Sequence, residues 1–106
     1  AVGGTVVVRF SVAQIVDSRQ AETAANEMRN AMARARARVL VVDFTDVNHM
    51  TSVMLGKLMQ VRKSIVEAKG AMRVCGLNPQ LTQLFKISGF RKIFEVYGTV
   101  DEAVKE

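Results

Sequence analysis

The sequence predicts an α/β fold with a mostly parallel central sheet of roughly four to five strands and about four helices, in the order β(β)αβαβαβα. Three observations predict it. The segment "RVLVVDF", residues 38–44, is a nearly unbroken apolar run of strand length, as expected of a strand covered by helices on both faces. Strand-like segments alternate with segments of helical spacing, which implies right-handed βαβ crossovers. Capping residues and glycines mark most junctions. At 106 residues the chain has room for one core, and a single domain over 1–106 is expected.

Each element has its own reason. "GTVVVRFSV" is rich in β-branched and aromatic residues and predicts a strand over 5–12. "AQIV" extends it as a short second strand. Asp17 and Ser18 are good caps, and "RQAETAANEMRNAMARA" is rich in helix formers. Ala21, Ala24, Ala25, Met28, Ala31 and Met32 recur at helical spacing and give that helix a small-residue face suited to close packing on a sheet. The strand over 38–44 follows. Next comes a polar stretch, "TDVNHMTS", and then a helix with Met54, Leu55, Leu58, Val61, Ile65 and Ala68 on one face. Gly70 is the expected stop, through the left-handed conformation that glycine tolerates. "AMRVCGL" is the next strand. "NPQLTQLFKISG" is a helix with Asn78 as cap, Pro79 at its first position and Gly89 as terminator. "KIFEVY" is a short strand, and Thr99 with Glu102 forms a capping-box pattern for a last helix over "TVDEAVKE".

Composition excludes several classes. Hydrophobic residues are 49% and charged residues 24%, so the chain is not disordered. No apolar run approaches the roughly 20 residues of a membrane-spanning helix. The start "AVGGTVVVRF" lacks the basic and long apolar segments of a signal peptide. Cys75 is the one cysteine, which rules out an internal disulfide and points to a reducing, cytoplasmic setting with Cys75 as a buried structural thiol. A lone Cys and a lone His make no metal site of standard spacing. The net charge is +5, much of it in "ARARAR" (Arg34, Arg36, Arg38) and in Arg62 and Lys63. With no Trp and no recognised nucleic-acid motif, this charge reads as a solvated face, and neither nucleic acid nor membrane is an expected partner.

In open α/β sheets, function gathers where strands hand over to helices, and "TDVNHMTS" occupies such a place. Ser52, His49 and Asp43 or Asp46 are the ingredients of a nucleophile, base and orienter. No G-x-S-x-G elbow surrounds Ser52, so hydrolase chemistry is not expected. Phosphate-cradling loops need glycines after the strand, and none occurs before Gly56 within the helix, so no cofactor site is expected. Thr51 or Ser52 caps the helix. A phosphorylated hydroxyl there would sit at a helix N-terminus, where the dipole tolerates negative charge.

The strand "VLVVDFTDV", the following "NHMTSVMLGKL" and the tail "GLNPQLTQLFKISGFRKIFEVYGTVDEAV" resemble the STAS domain, and more narrowly the bacterial anti-sigma factor antagonists. The resemblance covers nearly the whole chain and is strongest from residue 38. It implies a STAS fold, no enzymatic activity and a role in partner switching. A serine kinase of histidine-kinase-like ATPase fold, the anti-sigma factor, would phosphorylate the domain, and a phosphatase would reset it. Position by position, Ser52 falls on the phosphorylated Ser of a D-S-x-G-L motif, Leu55 on its Leu and Asp43 on the strand-end Asp. Gly56 matches a commonly small position. Thr51 stands where the motif has Asp and is the second candidate acceptor. Met54 stands where it has Gly, which would put a flexible apolar side chain near the partner face. The partner-binding surface implied is Asp46, Asn48, His49, Thr51, Val53, Met54 and Lys57. Helical spacing puts Met54 or Leu55 inward with Leu58, and Val53 and Lys57 outward. The alternative is a STAS scaffold without phosphorylation, in a stress-signalling complex or as a soluble subunit of a lipid ABC transporter.

Overall fold

The computed structural model describes residues 4–104. Along the chain the elements are β1 (Thr5–Arg9), β2 (Gln14–Ile15), α1 (Ser18–Ala35), β3 (Val39–Asp43), β4 (His49–Met50), α2 (Ser52–Glu67), β5 (Ala71–Cys75), α3 (Pro79–Ile87), a 3₁₀ turn (Phe90–Lys92), β6 (Glu95–Tyr97) and α4 (Val100–Val104). β1, β3, β5 and β6 form one parallel sheet in the order β1-β3-β5-β6. The expected α/β architecture is therefore present, and β3, the apolar run, lies inside the sheet with Leu40 to Asp43 all buried.

Side chains alternate across the sheet and build two unequal layers. Leu40 and Val42 of β3 and Met72 and Val74 of β5 face α1 and α2, meeting Ala24, Ala25 and Met28 from one helix and Leu55, Leu58 and Val61 from the other. The alanines of α1 let its backbone approach the sheet closely. Leu81 and Phe85 of α3 close this core, with Phe85 meeting Phe90 edge-to-face and Phe94 at a tilt, at centroid distances of 6.0 and 6.1 Å. On the other face Val41 and Cys75 are covered by the short α4 through Ala103.

Several boundaries differ from the sequence expectation, each for a local reason. The strand expected over 5–12 ends at Arg9, because Phe10 turns inward to be buried beside Phe44, with ring centroids 5.9 Å apart. β5 stops at Cys75 because Gly76 adopts φ 74°. The segment "KIFEVY" is split: Gly89, at φ 76°, launches the 3₁₀ turn, Phe94 packs into the aromatic cluster, and only Glu95–Tyr97 pair with β5. Gly70 is not the left-handed stop of α2. That conformation falls on Lys69, at φ 65°, and Gly70 is required because a Cβ there would lie 2.4 Å from the Arg38 carbonyl oxygen. Ala68 is exposed at the C-cap of α2 instead of packed inward. The last helix spans Val100–Val104, and the remainder of "TVDEAVKE", Lys105 and Glu106, lies outside the described residues.

The short second strand exists but joins no central strand. β2 pairs in parallel with β4, an element that sequence reading leaves inside the polar stretch. The pair continues into the helices: the Asn48 N–H donates to the Ala13 carbonyl at 2.7 Å and the Thr51 N–H to the Ile15 carbonyl at 3.3 Å. The entries to α1 and α2 are thereby tied together by backbone hydrogen bonds.

Candidate functional site

The site is built from the loop between β3 and α2. Its root is Asp43, 2% exposed at the end of β3. The Asp43 carboxylate accepts the Thr45 backbone N–H at 2.9 Å and the Thr45 hydroxyl at 2.5 Å, which folds the chain sharply back after the strand. Gly76 completes this corner. A Cβ at Gly76 would lie 2.5 Å from Thr45 Oγ1 and 2.6 Å from Asp43 Oδ1, so the exit of β5 can pass only as glycine. Further along, Asp46 receives a two-pronged bond from Arg9, each contact 3.0 Å, which fixes the loop to the end of β1. Arg9 holds the Asp46 carboxyl below the usual carboxylate range, first by hydrogen bonding and then by charge. Asn78, the N-cap of α3, donates its side-chain amide to the Asn48 carbonyl at 3.1 Å. Three separate tethers thus hold the loop.

The loop delivers Ser52 to the first residue of α2, with its side chain exposed. Among the described residues the Ser52 hydroxyl has no hydrogen-bond partner. The expectation that Ser52 or Thr51 caps the helix through its side chain is not met. Thr51 holds the N-cap position, but its hydroxyl donates to the Val16 carbonyl at 3.1 Å instead of accepting from the first turn. The reason is the β2–β4 pairing, which brings Val16 within reach. The first turn of α2 therefore has no side-chain acceptor for its N–H groups, although the Met54 N–H bonds to the Thr51 carbonyl at 3.0 Å, and it starts at a free hydroxyl.

The other expected site residues separate into two groups. Asn48, His49 and Val53 are exposed around Ser52, Val53 at 40%, and Asp46 is exposed within its clamp. Met54 is the correction among them. It is 0% exposed, because one helical step beyond Val53 turns the side chain into the core beside Leu58. Its replacement of the motif glycine therefore changes the core and leaves the outer face alone. Lys57 is half-buried and engaged: its ammonium lies 2.6 Å from Glu22 of α1, which holds the Glu22 carboxyl below its usual range. The Ser–His–Asp ingredients are not assembled, since Asp43 is occupied by Thr45 and neither Ser52 nor His49 bonds through its side chain among the described residues.

Beside the loop, His49, Met50, Gln80, Leu81, Leu84 and Ile87 line an open groove of about 320 Å³ between β4 and α3. Ile87 is 74% exposed there. Arg9, Thr45, Gly76 and Ile87 were not singled out by sequence reasoning as site residues. Only Gly76, directly after a strand and before an Asn-Pro cap, carries a local signal for its role.

The family model of the STAS domain matches residues 2–103. The chain belongs to the STAS family. Among curated relatives, this STAS domain is 28% identical over 103 residues to the anti-sigma F factor antagonist of Paenibacillus polymyxa, spanning 97% of this chain and 86% of that protein. It is 34% identical over 58 residues to the anti-sigma-B factor antagonist of Listeria monocytogenes, spanning 55% of this chain and 51% of that one. Among solved structures, it superposes on an anti-sigma-factor antagonist (STAS) domain protein from Planctomyces limnophilus with a TM-score of 0.80 at 20% identity, covering 92% of this chain and 86% of the other. The phosphorylated form of the Bacillus cell fate determinant SpoIIAA gives 0.68 at 18% identity, covering 94% and 87%. At these identities the structural matches establish the STAS fold. No helix among the described residues is long and apolar enough to cross a membrane.

Proposed function

We propose that this STAS domain is an anti-sigma factor antagonist that binds an anti-sigma factor kinase through the exposed face around Ser52, and that phosphorylation of Ser52 releases it. The observation that carries the reading is the state of Ser52: an exposed, unbonded hydroxyl at the first position of α2, held out by a loop tethered at Asp43, Asp46 and Asn48. The relatives named as anti-sigma factor antagonists support it. A phosphate on Ser52 adds nearly two negative charges at a helix N-terminus that has no side-chain cap, which the helix dipole accommodates. The fold then survives modification while the partner meets an altered charge. Thr51 is the poorer acceptor, since its hydroxyl is half-buried and already bonded to Val16.

In this reading His49, Asn48 and Val53 contact the kinase, and the groove ending at Ile87 receives an apolar side chain from it. The domain catalyses nothing itself. It works in the cytoplasm, and a phosphatase returns Ser52 to its free form. The test is to incubate the protein with its candidate kinase and ATP and to map phosphate by mass spectrometry. One phosphate on Ser52, lost in Ser52→Ala, is the expected result. Stable binding of the kinase without modification of Ser52 or Thr51 would favour the unphosphorylated scaffold instead.

A further inference from the structure

The sheet is parallel, so every connection from a helix into a strand emerges at the same end of the molecule, opposite the Ser52 loop. Those connections and the helix turn before them carry Arg34, Arg36, Arg38, Lys69, Arg91 and Lys92, all exposed. Among the described residues none of the six pairs with a carboxylate. The nearest acidic residues in sequence are Glu67, closing α2, and Glu95, which is held by Arg73. A cation at a helix's C-terminal end answers the helix dipole, which accounts in part for Arg34 and Arg36 at the end of α1 and for Arg91 and Lys92 in the 3₁₀ turn, but not for Arg38, which lies beyond the helix end.

Backbone conformation gives a second, independent indication. Arg36 (φ 49°) and Lys69 (φ 65°) are the two non-glycine residues in the left-handed region among the described residues. Both follow helix ends, where glycine is the unstrained choice. The chain keeps a long cation at each, against the preference of its own backbone. At the same end, α1 and α2 leave a cleft of about 330 Å³ whose lining includes Met32, Val61 and Ile65, with Arg38 also on its wall. An apolar cleft with Arg38 on its wall, at an end of the molecule rich in exposed cations, suits an amphiphile with an anionic head. A nucleic acid has no use for such a cleft, and among the described residues no exposed aromatic stacking platform accompanies these cations.

We propose that this basic end docks on an anionic phospholipid surface, by charge attraction and without insertion of a helix. The expectation of a merely solvated basic face is revised accordingly, and the inference stands independently of phosphorylation at Ser52. Docked this way, the domain presents its Ser52 end away from the bilayer. The test is co-sedimentation of the full chain with vesicles of equal parts phosphatidylglycerol and phosphatidylcholine, against vesicles of phosphatidylcholine alone. Binding to the anionic vesicles only, weakening with added salt, is expected. Each cation near such a surface contributes about fivefold to partitioning, so the double variant Arg36→Gly, Lys69→Gly should bind about 25-fold less. Its melting temperature should equal or exceed that of the parent, since glycine relieves the strain. Arg91→Glu with Lys92→Glu, in a different connection, should also lose binding. Equal partition onto both vesicle types, or parental binding by these variants, would overturn the proposal. So would tighter binding to a duplex DNA than to anionic vesicles in the same buffer, which would assign the patch to nucleic acid.

Discussion

At the scale of single residues, the corner made by Asp43, Thr45 and Gly76 is the most constrained feature of the site. Gly76→Ala would combine a disfavoured left-handed conformation with overlap against Thr45 and Asp43, and should destabilise the fold by about 2–4 kcal/mol in urea unfolding. Ser52→Ala touches nothing in the core and should leave stability within about 0.5 kcal/mol while removing phosphate incorporation. That contrast separates the residue that shapes the loop from the one the loop presents. Cys75 makes a further prediction. Burial, and then the neighbouring Asp43 charge, push its thiol up to about 11. Alkylation by iodoacetamide at mildly alkaline pH should therefore be slow in the folded protein and fast once urea unfolds it. The sequence made the Cys75 burial legible, because the thiol lies in an apolar strand. It could not reveal the Arg9–Asp46 clamp, whose partners lie 37 residues apart and meet only through the β1–β3 pairing.

At the scale of elements, legibility followed the length and regularity of the pattern. β3 and α1 were readable because an apolar run and a periodic alanine face each repeat one signal several times. β4 was not, since two residues inside a polar stretch carry no periodicity, and its existence depends on β2 lying alongside. The inward turn of Met54 was half legible, as helical spacing offered either Met54 or Leu55 to the core and the structure buries both. Helix caps can be tested directly. Asp17 accepts the Gln20 N–H at 2.8 Å while the Gln20 side chain answers the Asp17 N–H, a reciprocal box at the entry to α1. Asp17→Ala should lose about 1 kcal/mol in urea unfolding. Thr51→Ala should act differently despite the shared cap position. It removes a bond to Val16 outside the helix, so its effect should be seen in faster amide exchange around β2.

At the scale of the whole molecule, titrations of opposite sign act at the two ends of the pH range, the Asp46 and Glu22 carboxyls at the acidic end and the Cys75 thiol and Tyr97 hydroxyl at the alkaline end. The Asp46 carboxyl is depressed by Arg9, so its contribution is present above the ordinary carboxylate range and lost as pH falls through the folded value. The Cys75 thiol is raised, so its contribution is present below the ordinary thiol range and lost as pH rises toward about 11. Thermal melts across pH should show a plateau between these limits. Cys75→Ala should flatten the alkaline side, and Asp46→Asn the acidic side. The pairing of β2 with β4 carries a different consequence. It is a crossbar between two helices that are otherwise far apart in sequence, with the α2 end of the bar at Thr51, one residue before Ser52. A lever of this kind gives the Ser52 end of the molecule a remote handle: in the proposed switch, a change at Gln14 or Val16 would alter how Ser52 is held out to the proposed kinase. Under that proposal, inheritance can retune the switch without rewriting the surface offered to the proposed kinase.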